Sequence, residues 1–221
     1  MTELAEQSLT EQLRAKRSEM MISELQAIAL RLFEQRGFDE VTIEEVASRA
    51  RISVRTFYRY FSAKEDLLQV HIDRRSEALQ GALSSRPTDE PPLHALRLAL
   101  EEVISAEDPV LLRCWISVVA ATPSLLRGII GGIQLKTQRV VTDFLSSRLS
   151  LPRDALVSTM LGAAVGGVIQ AAHTRWFVDG GDLPTMISDG IEILENGIGS
   201  DPRAWAHRIE KPKRARRMQT R

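Results

Sequence analysis

Cysteine is almost missing from this 221-residue chain: Cys114 stands alone, so no disulfide framework and no thiolate metal cluster can form within it. That suits a reducing compartment. The histidines, His71, His94, His173 and His207, are scattered and show no metal-ligand spacing. There is no GxSxG and no HExxH, and Gly131-Gly132 and Gly166-Gly167 lie in helical patterns rather than after a strand, so neither is a phosphate-binding loop. The chain is therefore not expected to be an enzyme or to carry a cofactor or metal. The start, MTELAEQSLTEQLRAKRSEM, is polar and acidic and lacks the apolar core of a secretory signal. Residues 155–174 have no charge, but Ser158, Thr159, Gln170, His173, Thr174 and three glycines interrupt them. They read as a buried interface helix rather than a lipid span, so no membrane partner is expected and the expected location is the cytoplasm.

Net charge is also zero, and this hides an asymmetry. Residues 203–221 carry eight Lys/Arg against Glu210, hence +7, so residues 1–202 sum to −7. Local pattern, not total charge, has to decide whether nucleic acid is a partner.

Helical periodicity runs through almost the whole chain, and strand or hairpin signals are missing; the fold is expected to be all-α. Ile22, Leu25, Ala29, Leu32 and Phe33 mark one helix face, and Gly37 ends that helix. Thr42-Ile43-Glu44-Glu45 and Ser62-Ala63-Lys64-Glu65 both match the capping-box pattern. They bracket a short helix at about 43–50, a tight break, and a second short helix at about 54–60 with Ser53 as N-cap. A longer helix is expected from Ala63. SSRPTDEPP (84–92) reads as a linker, and helices are expected at about 93–105, 109–121, 123–149, 152–178 and 184–198.

Aromatics are rare as well, 5% of the chain, yet Phe57, Tyr58, Tyr60 and Phe61 fall within five residues, interleaved with Arg55 and Arg59. On a helical wheel Val54, Phe57 and Phe61 share one side with Tyr58 at its flank. Arg55, Thr56, Arg59 and Tyr60 point the other way. Guanidiniums, a hydroxyl with a methyl, and a phenol are the groups that contact base edges and phosphates, and a short helix, turn and second helix are the parts of a helix-turn-helix.

VTIEEVASRARISVRTFYRYFSAKEDLL (41–68), preceded by ALRLFEQRGF (29–38), resembles the DNA-binding domain of TetR-type transcriptional regulators. The resemblance implies that Thr42 touches a phosphate, that Arg55, Thr56 and Arg59 face the major groove with Ser53 on the same surface, and that Tyr58, Tyr60 and Lys64 serve phosphates. The family usually has glycine where Arg51 stands; with positive φ, arginine there costs about 1 kcal/mol.

The implied organisation is an N-terminal arm (1–17), a three-helix helix-turn-helix head (18–64), a helical bundle for ligand binding and dimerisation (65–200) and a basic tail (201–221). The arm, with Arg14, Lys16 and Arg17, suits an adjacent minor groove or a solvated end; the tail suits a solvated segment or non-specific nucleic-acid contact. The resemblance implies a homodimer on a double-stranded DNA operator, with Gly162, Gly166 and Ile169 from one helix and Ile187, Ile191, Leu194 and Ile198 from the next at the interface. It also implies a small-molecule effector in the bundle. Candidate contacts are Trp115, Val119, Phe144, Met160, Gln170, His173 and Trp176, with Arg113 as an anion anchor. The stretch 109–198 is similar to regulators accepting acyl-CoA-like ligands. The expected mechanism is a ligand-selected swing of the connecting helix (63–83) that changes the spacing of two recognition helices. The alternatives are a helical adaptor or a non-specific DNA-binding protein.

Overall fold

The computed structural model describes residues 2–197. The expected basic tail and Ile198 lie outside the described residues. Within them the chain forms helices α1 (Thr2–Arg36), α2 (Ile43–Arg49), α3 (Val54–Tyr58), α4 (Asp66–Ser84), α5 (Pro92–Ser105), α6 (Pro109–Ala121), α7 (Pro123–Arg148), α8 (Leu156–Asp179) and α9 (Leu183–Asn196), with no strand among them. The all-α expectation holds.

Residues expected as a separate arm are instead the first turns of α1. Helix formers predominate from Thr2 onward and neither glycine nor proline occurs before Gly37, so nothing local stops the helix earlier. Gly37 takes φ +88° and returns its N–H to the Phe33 carbonyl at 2.8 Å, ending α1 as expected.

Two compact units divide the chain. The first comprises Met1–Asp73 and Asp108–Ile129, the second Arg74–Glu107 and Ile130–Arg221. The division falls inside α4, and α6 groups with the first unit.

In the first unit Leu25, Ala29, Leu30 and Phe33 of α1, Val46 and Ala47 of α2, and Phe57 and Phe61 form a buried core. α6 packs on α1, its Cys114 thiol donating to the Leu30 carbonyl at 3.4 Å. Trp115 of α6 donates its indole N–H to the Leu68 carbonyl at 3.0 Å and lays its ring 5.1 Å from that of His71. Burial pushes the Cys114 thiol up to about 11.

In the second unit α9 packs against α5 and α8. Two close approaches depend on glycine. A Cβ on Gly162 of α8 would stand 2.2 Å from Thr142 Oγ1 and 3.1 Å from the Gln138 carbonyl, both on α7. A Cβ on Gly190 of α9 would stand 2.4 Å from Val168 Cγ1. α8 is long and apolar enough to cross a membrane by length and composition, and only 33% of its most apolar stretch is buried by the chain. It starts at Leu156 rather than Pro152: Ser150 (φ +52°) and a Leu151 N–H to Ser146 carbonyl bond end α7, and a turn over 152–155 precedes α8.

Candidate nucleic-acid interface

α2 begins at a complete capping box. Thr42 Oγ1 accepts from the Glu45 N–H at 3.2 Å and Glu45 Oε2 accepts from the Thr42 N–H at 3.0 Å. Arg36 pairs with the other Glu45 oxygen and, with the Thr42 N–H, holds that carboxyl below the usual carboxylate range. The exposed Thr42 hydroxyl accepts inside the box, so its own proton remains free to donate outward.

The turn to α3 is a Schellman motif with arginine in the glycine position. The Ile52 N–H bonds the Ala47 carbonyl at 3.0 Å, the Arg51 N–H bonds the Ser48 carbonyl at 3.0 Å, and Arg51 has φ +55°. Ser53 then caps α3, its Oγ accepting from the Thr56 N–H at 3.0 Å while sharing a 2.8 Å hydrogen bond with Thr56 Oγ1. That second bond fixes the Thr56 hydroxyl and leaves its methyl to face elsewhere.

α3 itself is short, ending at Tyr58, though a turn continues through i→i+3 bonds to Tyr60. Phe57 is wholly buried and Phe61 nearly so, while Arg55, Tyr58 and Arg59 are exposed and Thr56 and Tyr60 half-exposed. The outward set expected from the wheel, Arg55, Thr56, Arg59 and Tyr60, is therefore exposed or half-exposed. Arg59 Nη2 donates to Tyr60 Oη at 3.0 Å and its guanidinium lies 4.9 Å above the Tyr60 ring.

Lys64 is differently engaged. Its ammonium donates to the carbonyls of Phe38 at 2.6 Å and Val41 at 2.8 Å, approaches that of Asp39 at 3.5 Å, and lies 4.3 Å from the Phe38 ring centroid. Its donors are spent on the α1–α2 loop. The expected second capping box does not form either. Asp66, not Glu65, reaches back, Oδ2 accepting from the Ser62 N–H at 2.7 Å and the Ala63 N–H at 3.0 Å, so α4 begins three residues later than its expected start at Ala63.

Two family models match this chain. Residues 27–70 match the bacterial regulatory proteins of the tetR family, and residues 90–199 match the MftR C-terminal domain. The chain belongs to the TetR family.

Among curated relatives, the TetR-family chain is 33% identical over 106 residues to the HTH-type transcriptional regulator TcmR of Streptomyces glaucescens, covering 44% of this chain and 47% of TcmR. It is 38% identical over 79 residues to the HTH-type transcriptional regulator EthR of Mycolicibacterium smegmatis, covering 34% of this chain and 36% of EthR. The matches thus span about half and about a third of these relatives. Solved structures share the fold. SmeT, the repressor of the Stenotrophomonas maltophilia multidrug efflux pump SmeDEF, aligns with TM-score 0.59 and 15% identity over 79% of this chain and 88% of SmeT. NalD, the secondary repressor of the MexAB-OprM multidrug efflux pump in Pseudomonas aeruginosa, aligns with TM-score 0.56 and 17% identity over 82% of this chain and 97% of NalD.

The effector contacts expected from the sequence are divided between the two units. Arg113, Trp115 and Val119 belong to the first unit, where Trp115 and Val119 are core; Phe144, Met160, Gln170, His173 and Trp176 belong to the second. There Trp176 is buried, His173 Nδ1 is 2.7 Å from the Ile169 carbonyl, and Phe144 lies 5.1 Å beneath the Arg148 guanidinium. Met160 is 60% exposed, and Gln170 lines an open surface concavity with Gly167, Ala171, Thr174 and Val178.

The residues expected at a dimer interface are mostly buried within the chain itself. Gly162 serves the α7–α8 contact, Gly166 and Ile169 are buried, Ile187 and Ile191 are core, and only Leu194 is half-exposed. The outward stripe of α8 is Leu156, Met160, Gly167, Ala171 and Val178, beside Val157. Sequence reasoning missed Gly190 and the use of Lys64 as a loop clamp.

Proposed function

We propose that this TetR-family protein is a ligand-responsive repressor that binds a palindromic operator as a homodimer and is released by a small, largely apolar effector. The observation that carries the reading is the surface of α3 and its following turn. Arg55, Thr56, Tyr58, Arg59 and Tyr60 are all at least partly exposed there while Phe57 anchors the same segment in the core. The guanidiniums and the Thr56 methyl suit base edges; the phenols and the Thr42 hydroxyl suit phosphates. Lys64 acts from inside, holding the α1–α2 loop against the start of α4.

Dimerisation is supported by the outer face of α8. Leu156, Val157, Met160 and Val178 are between 54% and 74% exposed, an apolar stripe that a second copy would cover. The second unit would hold the effector, with acyl-CoA-like molecules as the class suggested by the sequence resemblance. The protein would work in the cytoplasm.

Footprinting on DNA flanking the coding region tests this. The expected result is protection of two inverted half-sites, centred about one helical turn apart or a multiple of it. Protection without two-fold symmetry opposes the dimeric reading, and no protected site opposes the regulator reading.

A further inference from the structure

Arg75, on α4, and Glu107, in the turn after α5, form an ion pair with Nε 3.3 Å from Oε1, and their side chains are only 22% and 14% exposed. The pair is poorly made. Arg75 Nη2 and both Glu107 oxygens are buried, and none of these three atoms has a hydrogen-bond partner. A fitted guanidinium–carboxylate contact uses two parallel N–H···O bonds. Here the attraction is one of charge without hydrogen-bond geometry at the carboxylate.

The surroundings make that arrangement costly. Leu79, one turn along α4, and Val103 and Ile104, one turn before Glu107, are buried. Burial pushes the Glu107 carboxyl above the usual carboxylate range and the Arg75 guanidinium below its ordinary value, each partly offset by the other's charge. Two desolvated charges in an ill-fitted contact recover less than they lose, so an anion of better geometry competes well for the arginine.

We propose that Arg75 is an anion-binding position which Glu107 occupies in this state, and that the carboxylate or phosphate group of an apolar small molecule displaces Glu107 from it. The proposal rests on the effector-responsive reading and gives that effector its chemistry: one anionic group on a hydrocarbon body. Its place in the chain gives the exchange a consequence. Arg75 is the second residue of the second unit along α4, and Glu107 is the last residue before the chain returns to the first. Freeing Glu107 releases a tie between two of the segments through which the units are joined.

The test is calorimetric titration of the full-length protein with octanoate, octyl phosphate, octanol and octylamine, for the wild type, Glu107→Gln and Arg75→Met. The expected result is that at least one of the two anions binds the wild type at least tenfold more tightly than octanol or octylamine, and the tighter of the two names the headgroup. Glu107→Gln, having lost the competing charge, should bind that anion at least tenfold more tightly again, and Arg75→Met should lose tenfold or more. Equal affinity in wild type and Glu107→Gln, undiminished affinity in Arg75→Met, or no preference for anions over octanol overturns the proposal. If either variant fails to show a cooperative thermal transition, the wild-type preference for anion over octanol decides alone. DNA binding by the same wild-type preparation separates the two claims. Intact DNA binding without anion binding sinks the site and leaves the regulator; absence of DNA binding sinks the regulator reading itself.

Discussion

Arg59 and Tyr60 act as one unit: the Arg59 guanidinium donates to the Tyr60 hydroxyl at 3.0 Å and lies 4.9 Å over its ring. The hydroxyl oxygen accepts there, so its proton is directed elsewhere, which fits donation to a phosphate. A double-mutant cycle of Arg59→Ala and Tyr60→Phe on DNA affinity should therefore give a coupling of about 0.5–2 kcal/mol. Additive losses would show that the two contact DNA independently.

The Arg51 turn carries a cost that glycine would not. With φ +55° its side chain crowds the backbone. Replacement by glycine relieves about 1–2 kcal/mol of strain but returns part of it as chain entropy, so Arg51→Gly should raise stability by roughly 0.5–1 kcal/mol in urea unfolding. A loss of stability would mean that the arginine makes a compensating contact.

Lys64 gives a sharper distinction. Its bonds to the Phe38 and Val41 carbonyls predict that Lys64→Met destabilises the first unit by about 1–3 kcal/mol. DNA affinity should fall with that loss of order, while the slope of log affinity against log salt stays the same. Were Lys64 paired with a phosphate, the slope would shrink by about 0.9 for each phosphate no longer neutralised, twice that in a dimer. The slope separates the two roles even if affinity falls in both.

Gly162 and Gly167 lie five residues apart on α8 and should respond oppositely. Alanine at 162 would put a methyl carbon 2.2 Å from Thr142 Oγ1, and should cost about 1–3 kcal/mol through displaced packing. Alanine at 167 meets nothing within 4 Å in its own subunit and should leave a single chain's fold as stable or more so. Met160→Glu, on the outer stripe, should shift the sedimentation of the folded protein from dimer to monomer. A Met160→Glu protein that stays dimeric would place the interface elsewhere.

The head is legible in sequence because its signals are local. Thr42 and Glu45 are three residues apart, Ser53 and Thr56 likewise, and Phe57 and Phe61 fix which side of the segment is buried. What is not legible depends on distant neighbours. α6 reads as one more bundle helix, yet Cys114 and Trp115 reach carbonyls of Leu30 and Leu68, acceptors that carry no side-chain signature. The hydrogen bonds of Lys64 are hidden from the sequence for the same reason, since its partners are backbone oxygens across the loop. Gly162 shows that bulk is unwanted on α8, but the sequence does not say whether the close neighbour is α7 or another subunit.

The central claim is that the surface of α3 reads DNA, and fluorescence anisotropy on the DNA flanking the coding region tests it most directly. Wild type and Thr56→Ala/Tyr60→Ala would be titrated over a salt series. The account predicts saturable, sequence-dependent binding by the wild type, reduced at least tenfold in the double variant with its thermal stability retained. Binding that survives the substitutions and vanishes only with rising salt would contradict it and assign the affinity to the basic residues of 203–221.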